Sequence, residues 1–127
     1  MIKVVLDTTV WMEYLRQKEP IAQHVGALML DKQIVAMDLV FSELIYCSSR
    51  IQDQSILKTF WLILPRIELT SDMIINAGIF ANQSNYLCRG IGLIEAAIIK
   101  AVTDEGYLLW TLDERIRGVV DTSILYK

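Results

Sequence analysis

The side chains of this sequence best suited to catalysis are carboxylates. The 127 residues include a single histidine, His24, and two cysteines, Cys47 and Cys88, that are far apart. A Ser-His-Asp or Cys-His triad needs the histidine beside a nucleophile, but His24 lies in the middle of a helical pattern. The spacings of zinc sites, of a phosphate-binding loop and of a dinucleotide-binding glycine motif are also absent. Catalysis by carboxylate side chains therefore remains as the candidate chemistry.

Four acids occur where the chain leaves an apolar strand pattern or enters a helical one. Asp7 directly follows the apolar residues 4–6, and Asp113 lies just past residues 107–111. Glu43 and Glu95 lie early in two helical patterns. Helices of a parallel sheet begin at its carboxyl edge, so we expect all four acids at that edge. Clustered carboxylates take up protons or bind cations, and oxygen ligands alone indicate Mg²⁺ or Mn²⁺.

Each of these acids also has a purely structural interpretation. Asp7 is a suitable N-cap, and Asp113 is a common turn residue. Glu43 and Glu95 would favour helix N-termini by about 0.3–1 kcal/mol each through the helix dipole. Taken together these interpretations are weaker, because they require four acids to meet at one sheet edge by accident.

Apolar strand patterns alternate with helical patterns along the whole chain. This alternation predicts a parallel sheet covered by helices on both faces, in one domain over residues 1–127. The predicted strands are 4–6, 34–37, 67–69, 107–110 and 124–126. The predicted helices follow the caps or first residues Asp7, Pro20, Asp38, Asp53 and Ser71, with others over 94–102 and 113–119 and a loop over 82–92.

Composition excludes several classes of protein. Hydrophobic residues make up 54% and charged residues 21%, so the chain is not disordered. Twelve basic against fifteen acidic residues give a net charge of −3, which excludes a general basic coat for nucleic acid. No apolar run approaches the roughly 18 residues of a membrane span. The two separated cysteines favour a reducing compartment, and we expect a cytoplasmic protein without a membrane anchor.

Four segments resemble the PIN-domain family, and most closely the VapC-type toxins of prokaryotic toxin–antitoxin pairs. They are residues 4–11 (VVLDTTVW), 42–44 (SEL), 92–101 (GLIEAAIIKA) and 109–113 (LWTLD). Their order and spacing cover almost the whole chain, and the first and third are the more specific. The resemblance implies a flavodoxin-like, three-layer α/β/α sandwich with a central parallel sheet. It also implies an endoribonuclease that requires Mg²⁺ or Mn²⁺ and is held inactive by a cognate antitoxin.

The resemblance carries over to individual residues. Asp7, Glu43 and Asp113 match the first, second and fourth acids of the family, and Glu95 stands where the family usually has Asp. The extra methylene moves a carboxylate by about 1.5 Å, in chemistry that is sensitive to about 1 Å. Glu95 is therefore expected to bind metal, directly or through a water, or to mark a weakened copy.

Hydroxyl and basic side chains complete the implied site. Thr8 and Thr111 match positions whose hydroxyls support the metal-binding acids of the family. Arg89, Arg115 and Arg117 are candidate contacts to RNA phosphates, with ordinary solvated surface charge as the alternative. The implied reaction is hydrolysis that leaves 5′-phosphate and 3′-hydroxyl ends without a covalent intermediate.

The first two helical segments have more large apolar residues than one helix face can bury. The surplus predicts a groove for an antitoxin segment or for a second copy of the chain, with burial on two sides as the alternative. Homodimers are common in the family that the sequence resembles. The residues concerned are Trp11, Met12, Tyr14, Leu15, Leu28, Met29 and Leu30.

Other functions remain as competitors. A haloacid-dehalogenase-like phosphatase needs a second acid two residues after Asp7, where this chain has Thr9. A receiver domain needs paired acids at the end of its first strand, and these are absent too. The alternative from a different class is a catalytically weakened PIN-fold interaction module, which Glu95 and the net negative charge leave open.

Overall fold

A four-stranded parallel sheet forms the centre of the computed structural model, which describes residues 1–127. Its strands lie in the order β3-β2-β1-β4, and the register pairs Val4 with both Ile34 and Leu108. Every residue of β1 and β2 is buried, because helices cover both faces, and this explains their unbroken apolar sequence. The strands are β1 (Val4–Leu6), β2 (Ile34–Met37), β3 (Arg66–Ile67) and β4 (Leu108–Trp110).

The helices complete a three-layer α/β/α sandwich, the fold class that the sequence predicts. Consecutive strands from β1 to β3 advance in one direction across the sheet, and β4 returns to the opposite edge. Right-handed crossovers therefore place the helices before β3 on one face and the next two on the other. The helices are α1 (Thr8–Leu15), α2 (Ile21–Leu30), α3 (Asp38–Cys47), α4 (Ile51–Ile63), α5 (Ser71–Gln83), α6 (Leu93–Glu105) and α7 (Glu114–Val119).

Aromatic packing fixes α1 against α3 and α4. The Trp11 ring is buried, and its centroid lies 5.0 Å from that of Phe41 and 5.9 Å from that of Phe60. Of the seven residues in the apolar surplus predicted for α1 and α2, two are buried, four are half-buried against the core, and Leu30 alone is exposed. The exposed large apolar residues on helices lie mainly on α4 and α5 instead: Ile51, Ile56, Leu62, Ile63, Ile74, Ile75 and Ile79.

Two predicted helix caps are wrong. Asp38 is the first residue of α3 rather than its cap, and its Oδ1 accepts a hydrogen bond from Trp61 Nε1 at 2.7 Å. Asp53 lies inside the first turn of α4, where it pairs with Arg50 at 3.0 Å. Both helices begin directly after a residue with extended backbone, and no side chain caps their N-termini.

Three predicted boundaries also differ. β3 lies at Arg66–Ile67 rather than 67–69, and α5 extends into the predicted loop as far as Gln83. Residues 124–126 form no strand, because the Asp121 side chain accepts a hydrogen bond from Ser123 N and turns the chain into a 3₁₀ turn. A single bridge from Leu125 to Leu109 remains. No helix combines the length and apolar character that crossing a bilayer requires.

Candidate active site

The Asp7 carboxylate is buried at the corner between β1 and α1, with 4% of the residue exposed. Its Oδ1 caps α1 by accepting hydrogen bonds from the backbone N–H of Thr9 at 3.0 Å and of Val10 at 3.3 Å. Hydroxyl groups of Thr9 and Thr111 donate to Oδ1 and Oδ2 respectively. Burial raises the pKa of Asp7 above its usual range, and the hydrogen bonds act in the opposite direction.

Two threonines join the corner after β1 to the segment after β4. Thr9 Oγ1 also accepts the Leu112 N–H at 3.0 Å, and Thr111 Oγ1 accepts the Asp113 N–H at 3.0 Å. Thr111 thus contacts Asp7, as the resemblance implied, whereas Thr8 lines the neighbouring cleft without a side-chain hydrogen bond. Sequence reasoning missed Thr9, although a hydroxyl two residues after a helix-capping Asp is a known turn signal.

Asp113 caps α7 and is paired with an arginine of the same helix. Its Oδ1 accepts the Arg115 backbone N–H at 2.9 Å, and its Oδ2 lies 2.8 Å from Arg115 Nη2. The Arg115 side chain hydrogen-bonds to Asp113 and lowers the pKa of that carboxyl. Sequence reasoning assigned Arg115 to substrate, but in the structure its guanidinium contacts acids, and Asp-x-Arg spacing in a first helical turn is the signal for this pair.

Glu95 lies in the first turn of α6 with its two carboxylate oxygens in different environments. Oε1 accepts the Gly92 N–H at 2.8 Å, which caps the helix from within. Oε2 lies 3.4 Å from Arg115 Nη2 and faces the cleft. A Cβ on Gly92 would stand 3.3 Å from Oε1, so the glycine gives this carboxylate room. Glu95 therefore caps the helix with one oxygen and contacts Arg115 with the other.

Glu43 is the least constrained of the four acids. It is half-buried on α3 and has no hydrogen-bond partner for its carboxylate, while its neighbour Leu44 packs into the core. Glu43 lines the same cleft as the other three acids. An oxygen pair without protein partners at this position is available to a cation or to water.

One cleft of about 590 Å³ brings the four acids together at the carboxyl edge of the sheet. Each acid comes from a different segment: β1–α1, α3, α6 and β4–α7. The four are Asp7, Glu43, Glu95 and Asp113, and further lining comes from hydroxyls, Arg115 and apolar residues of α6 and α7. No three acidic, histidine or cysteine side chains lie close enough together to hold one metal ion in this arrangement.

The donor chemistry of the cleft nevertheless suits Mg²⁺ or Mn²⁺. Its acidic lining offers carboxylate oxygens, the ligands that hard divalent cations prefer, and contains no thiolate or imidazole. A positive group already lies among the acids, because the Arg115 guanidinium contacts Glu95 and Asp113. The residues present thus fit a divalent cation in kind, although Arg115 and the carboxylates must shift for several oxygens to converge.

The side chains of the other two candidate arginines hydrogen-bond to backbone carbonyls. Arg117 Nη1 donates to the Thr111 carbonyl at 3.2 Å, and Arg89 Nη2 donates to the Gly118 carbonyl at 3.4 Å. Both residues are exposed and keep most of their guanidinium donors free. Neither arginine lines the cleft, and Arg89 lines a separate pocket; we call this pair of arginines the basic rim.

No protein-family model matches this sequence, and no match appears among curated proteins. Solved structures match it along nearly its whole length at low sequence identity. A chain of the VapBC2 complex from Rickettsia felis, bound to a DNA fragment from their promoter, has a TM-score of 0.73 and 18% identity. That match covers 98% of this chain and 96% of the other.

Two further structures have the same architecture. A chain of DNA-bound VapBC from Salmonella typhimurium matches with a TM-score of 0.72 and 16% identity, covering 93% of this chain and 92% of that one. A chain of FitAcB from Neisseria gonorrhoeae matches with a TM-score of 0.61 and 14% identity, covering 91% of each chain. The protein therefore has the fold of these VapBC and FitAcB chains.

Proposed function

We propose that this protein is a metal-dependent endoribonuclease, the toxin of a type II toxin–antitoxin pair that acts in the cytoplasm. The observation that carries the proposal is the meeting of four acids, from four separate segments, in one cleft at the carboxyl edge of the sheet. A structural role for each acid accounts for a cap or a turn but not for their convergence. The likeness in fold to chains of VapBC complexes supports the assignment.

In this proposal Asp7, Glu43, Glu95 and Asp113 hold Mg²⁺ or Mn²⁺ in the cleft. When bound, such an ion lowers the pKa of a coordinated water and offsets negative charge on a phosphate. The hydroxyl groups of Thr9 and Thr111 keep the Asp7 carboxylate in one orientation. The apolar lining from α6 limits the water around the acids, which strengthens electrostatic interactions there.

The basic rim is proposed to hold the RNA backbone. Arg89 and Arg117 are exposed, and their free donors suit phosphate oxygens. The net charge of −3 leaves the rest of the surface unfavourable for RNA, so binding depends on this local strip. We therefore expect cleavage to weaken steeply as salt concentration rises.

A cognate antitoxin is the protein partner in this proposal. Solved structures of VapBC2, VapBC and FitAcB contain chains with this fold, and the resemblance of the sequence to VapC-type toxins implies a cognate antitoxin. The apolar residues exposed on α4 and α5 provide surface for such a partner or for a second copy of the chain.

Cleavage of structured RNA by the purified protein tests the proposal. We expect products with 5′-phosphate and 3′-hydroxyl ends in Mg²⁺ or Mn²⁺, complete loss of activity in EDTA, and recovery when metal is returned. The Asp7→Asn protein, purified identically, controls for contaminating nucleases. RNA that stays intact under all metal conditions would instead support the interaction module, and cleavage that survives exhaustive chelation would contradict the metal mechanism.

A further inference from the structure

Arg115 is the one basic side chain that lines the acidic cleft. Its Nη2 lies 2.8 Å from Asp113 Oδ2 and 3.4 Å from Glu95 Oε2, so one guanidinium bridges acids from two different helices. Its Nη1 donates to the Gly90 carbonyl at 2.8 Å, which anchors the side chain above the loop that precedes α6. The positive charge thus lies between two of the four proposed metal ligands.

We propose that Arg115 is an internal counter-cation that holds Glu95 and Asp113 while the cleft lacks metal and gives them up when a divalent cation binds. The inference rests on the proposed function, because it assigns Glu95 and Asp113 to the metal. It adds that metal binding is an exchange of one cation for another. Arg115 is thus a positioning residue, which acts on the site through the carboxylates of Glu95 and Asp113.

Electrostatics favours a counter-cation at this place. Four carboxylates facing one cleft repel one another, and a guanidinium between two of them reduces this repulsion without a bound ion. Arginine suits the role because its planar fork contacts both carboxylates and a carbonyl at once.

The same contacts are weak enough to be released. The Arg115 side chain is 57% exposed, and water screens ion pairs at such positions. Both acids keep other anchors when the arginine leaves, since Glu95 Oε1 stays on Gly92 N and the Asp113 backbone stays on Thr111 Oγ1. Release therefore frees Glu95 Oε2 and Asp113 Oδ2 without disturbing the caps of α6 and α7.

Affinity for Mn²⁺ tests the exchange without reference to cleavage. Free Mn²⁺ is measured by its electron paramagnetic resonance signal during titration of wild type, Arg115→Gln and Arg115→Lys. We expect Arg115→Gln to bind Mn²⁺ about fivefold or more tightly than wild type, because it no longer competes. Arg115→Lys, which keeps the charge but loses the fork, should lie between them.

Two control variants separate exchange from a general change of charge. Arg117→Gln removes a charge from the same helix without a carboxylate contact, and Arg50→Gln breaks the remote pair with Asp53. Both should stay within about twofold of wild type. Circular dichroism melts establish that each variant folds, and Arg115→Lys provides the test if Arg115→Gln does not fold.

A direct measurement of the arginine itself completes the experiment. In ¹⁵N-labelled protein the Arg115 Nε–H resonance, identified by its loss in Arg115→Lys, should shift during Mg²⁺ titration with the midpoint of metal binding. Equal Mn²⁺ affinities of wild type and Arg115→Gln, or an unmoved Nε–H resonance, would overturn the inference alone. Absence of Mn²⁺ binding in both proteins would overturn the inference and the proposed metal mechanism together.

Discussion

At the scale of single residues, the acids of the cleft differ in what surrounds them. Asp7 is buried among hydroxyls and backbone N–H groups, Glu43 has no partner, and Asp113 is paired with Arg115. Burial raises the pKa of Asp7, whereas the arginine lowers that of Asp113. Sequence spacing alone predicted that these acids meet, but their opposite electrostatic environments depend on which side chains surround them in the fold.

Asp7→Asn is expected to abolish cleavage and to raise the free energy of unfolding at pH 7. An amide keeps the helix cap and removes a charge that is costly to bury. The pKa of Asp7 is higher in the folded than in the unfolded state. The free-energy cost of burying its charge is therefore fully present above the folded-state pKa, and it disappears as pH falls below the unfolded-state pKa. The stabilisation should therefore shrink on acidification, as followed by thermal melts at several pH values. A less stable variant, or one that cuts RNA at the wild-type rate, would contradict this assignment.

Glu95 variants distinguish a working ligand from a degenerate one. Glu95→Gln keeps the hydrogen bond to Gly92 N but removes the charge, so we expect cleavage to fall by orders of magnitude. Glu95→Asp restores the usual acid of the family and should keep activity within about tenfold, or about 1.4 kcal/mol of barrier. Single-turnover cleavage assays measure both.

Two other outcomes of the Glu95 comparison are informative. A nearly inert wild type that gains activity with Glu95→Asp would identify this chain as a weakened copy. An active wild type whose rate is unchanged by Glu95→Gln would exclude Glu95 from the metal site and leave its capping contact with Gly92 as its role.

At the scale of elements, the site depends on hydrogen bonds that join the carboxyl ends of β1 and β4. Asp7 N donates to the Trp110 carbonyl at 3.1 Å, which joins the ends of β1 and β4. The hydroxyls of Thr9 and Thr111 continue this connection beyond the sheet. Parallel neighbours in the sheet thereby bring residues that are about a hundred positions apart into one hydrogen-bonded corner.

Thr9→Val tests this connection. The substitution keeps the size of the side chain but loses the hydrogen bonds to Asp7 and Leu112, so we expect a loss of about 1–2 kcal/mol in stability. Cleavage should fall about 10–100-fold as the Asp7 carboxylate loses a partner that orients it. Chemical denaturation and cleavage assays measure the two effects. Thr8→Val is the matched control for stability, because the Thr8 hydroxyl makes no hydrogen bond, and equal losses in both variants would contradict the connection.

At the scale of the whole molecule, apolar surface is unevenly distributed. α1 and α2 bury most of their large residues, whereas α4 and α5 expose seven between them. α4 and α5 lie on opposite faces of the sheet, so these residues belong to two helix surfaces, each of which offers apolar contact to another protein. The sequence predicted an apolar surplus on the first two helices; the fold packs most of it against the core, and other apolar residues, on α4 and α5, are exposed.

If a second copy of the chain covers the exposed apolar residues of α4 or α5, the protein self-associates. We expect the protein purified alone to elute from size-exclusion chromatography as a species larger than its 14.5 kDa monomer. The double variant Ile63→Lys, Ile75→Lys, which alters one exposed residue on each of α4 and α5, should elute as a monomer. Leu30→Lys, at an exposed position on α2, is the control and should leave elution unchanged. A strict monomer at every concentration would contradict self-association.

The sequence by itself determined the layered fold and the edge at which the acids meet. Unbroken apolar runs such as residues 4–6 are typical of strands buried on both faces, and parallel strands place Asp7 and Asp113 at the same end. The helix cap at Asp7 and the end of α6 at Gly106, with φ of 72°, are likewise local properties of the chain. These features depend on periodicity and backbone geometry, which neighbouring residues set.

Only the tertiary structure decided the partners of each side chain. The hydrogen bond from Leu112 N to Thr9, the bridge from Arg115 to Glu95, and the burial of Trp11 join residues from separate elements. The last predicted strand is absent for a local reason, the 3₁₀ turn that Asp121 begins, and Leu125 keeps a single bridge to β4. Hydrogen bonds and packing between distant segments depend on distances that sequence spacing does not specify, and the chemistry of this cleft depends on them.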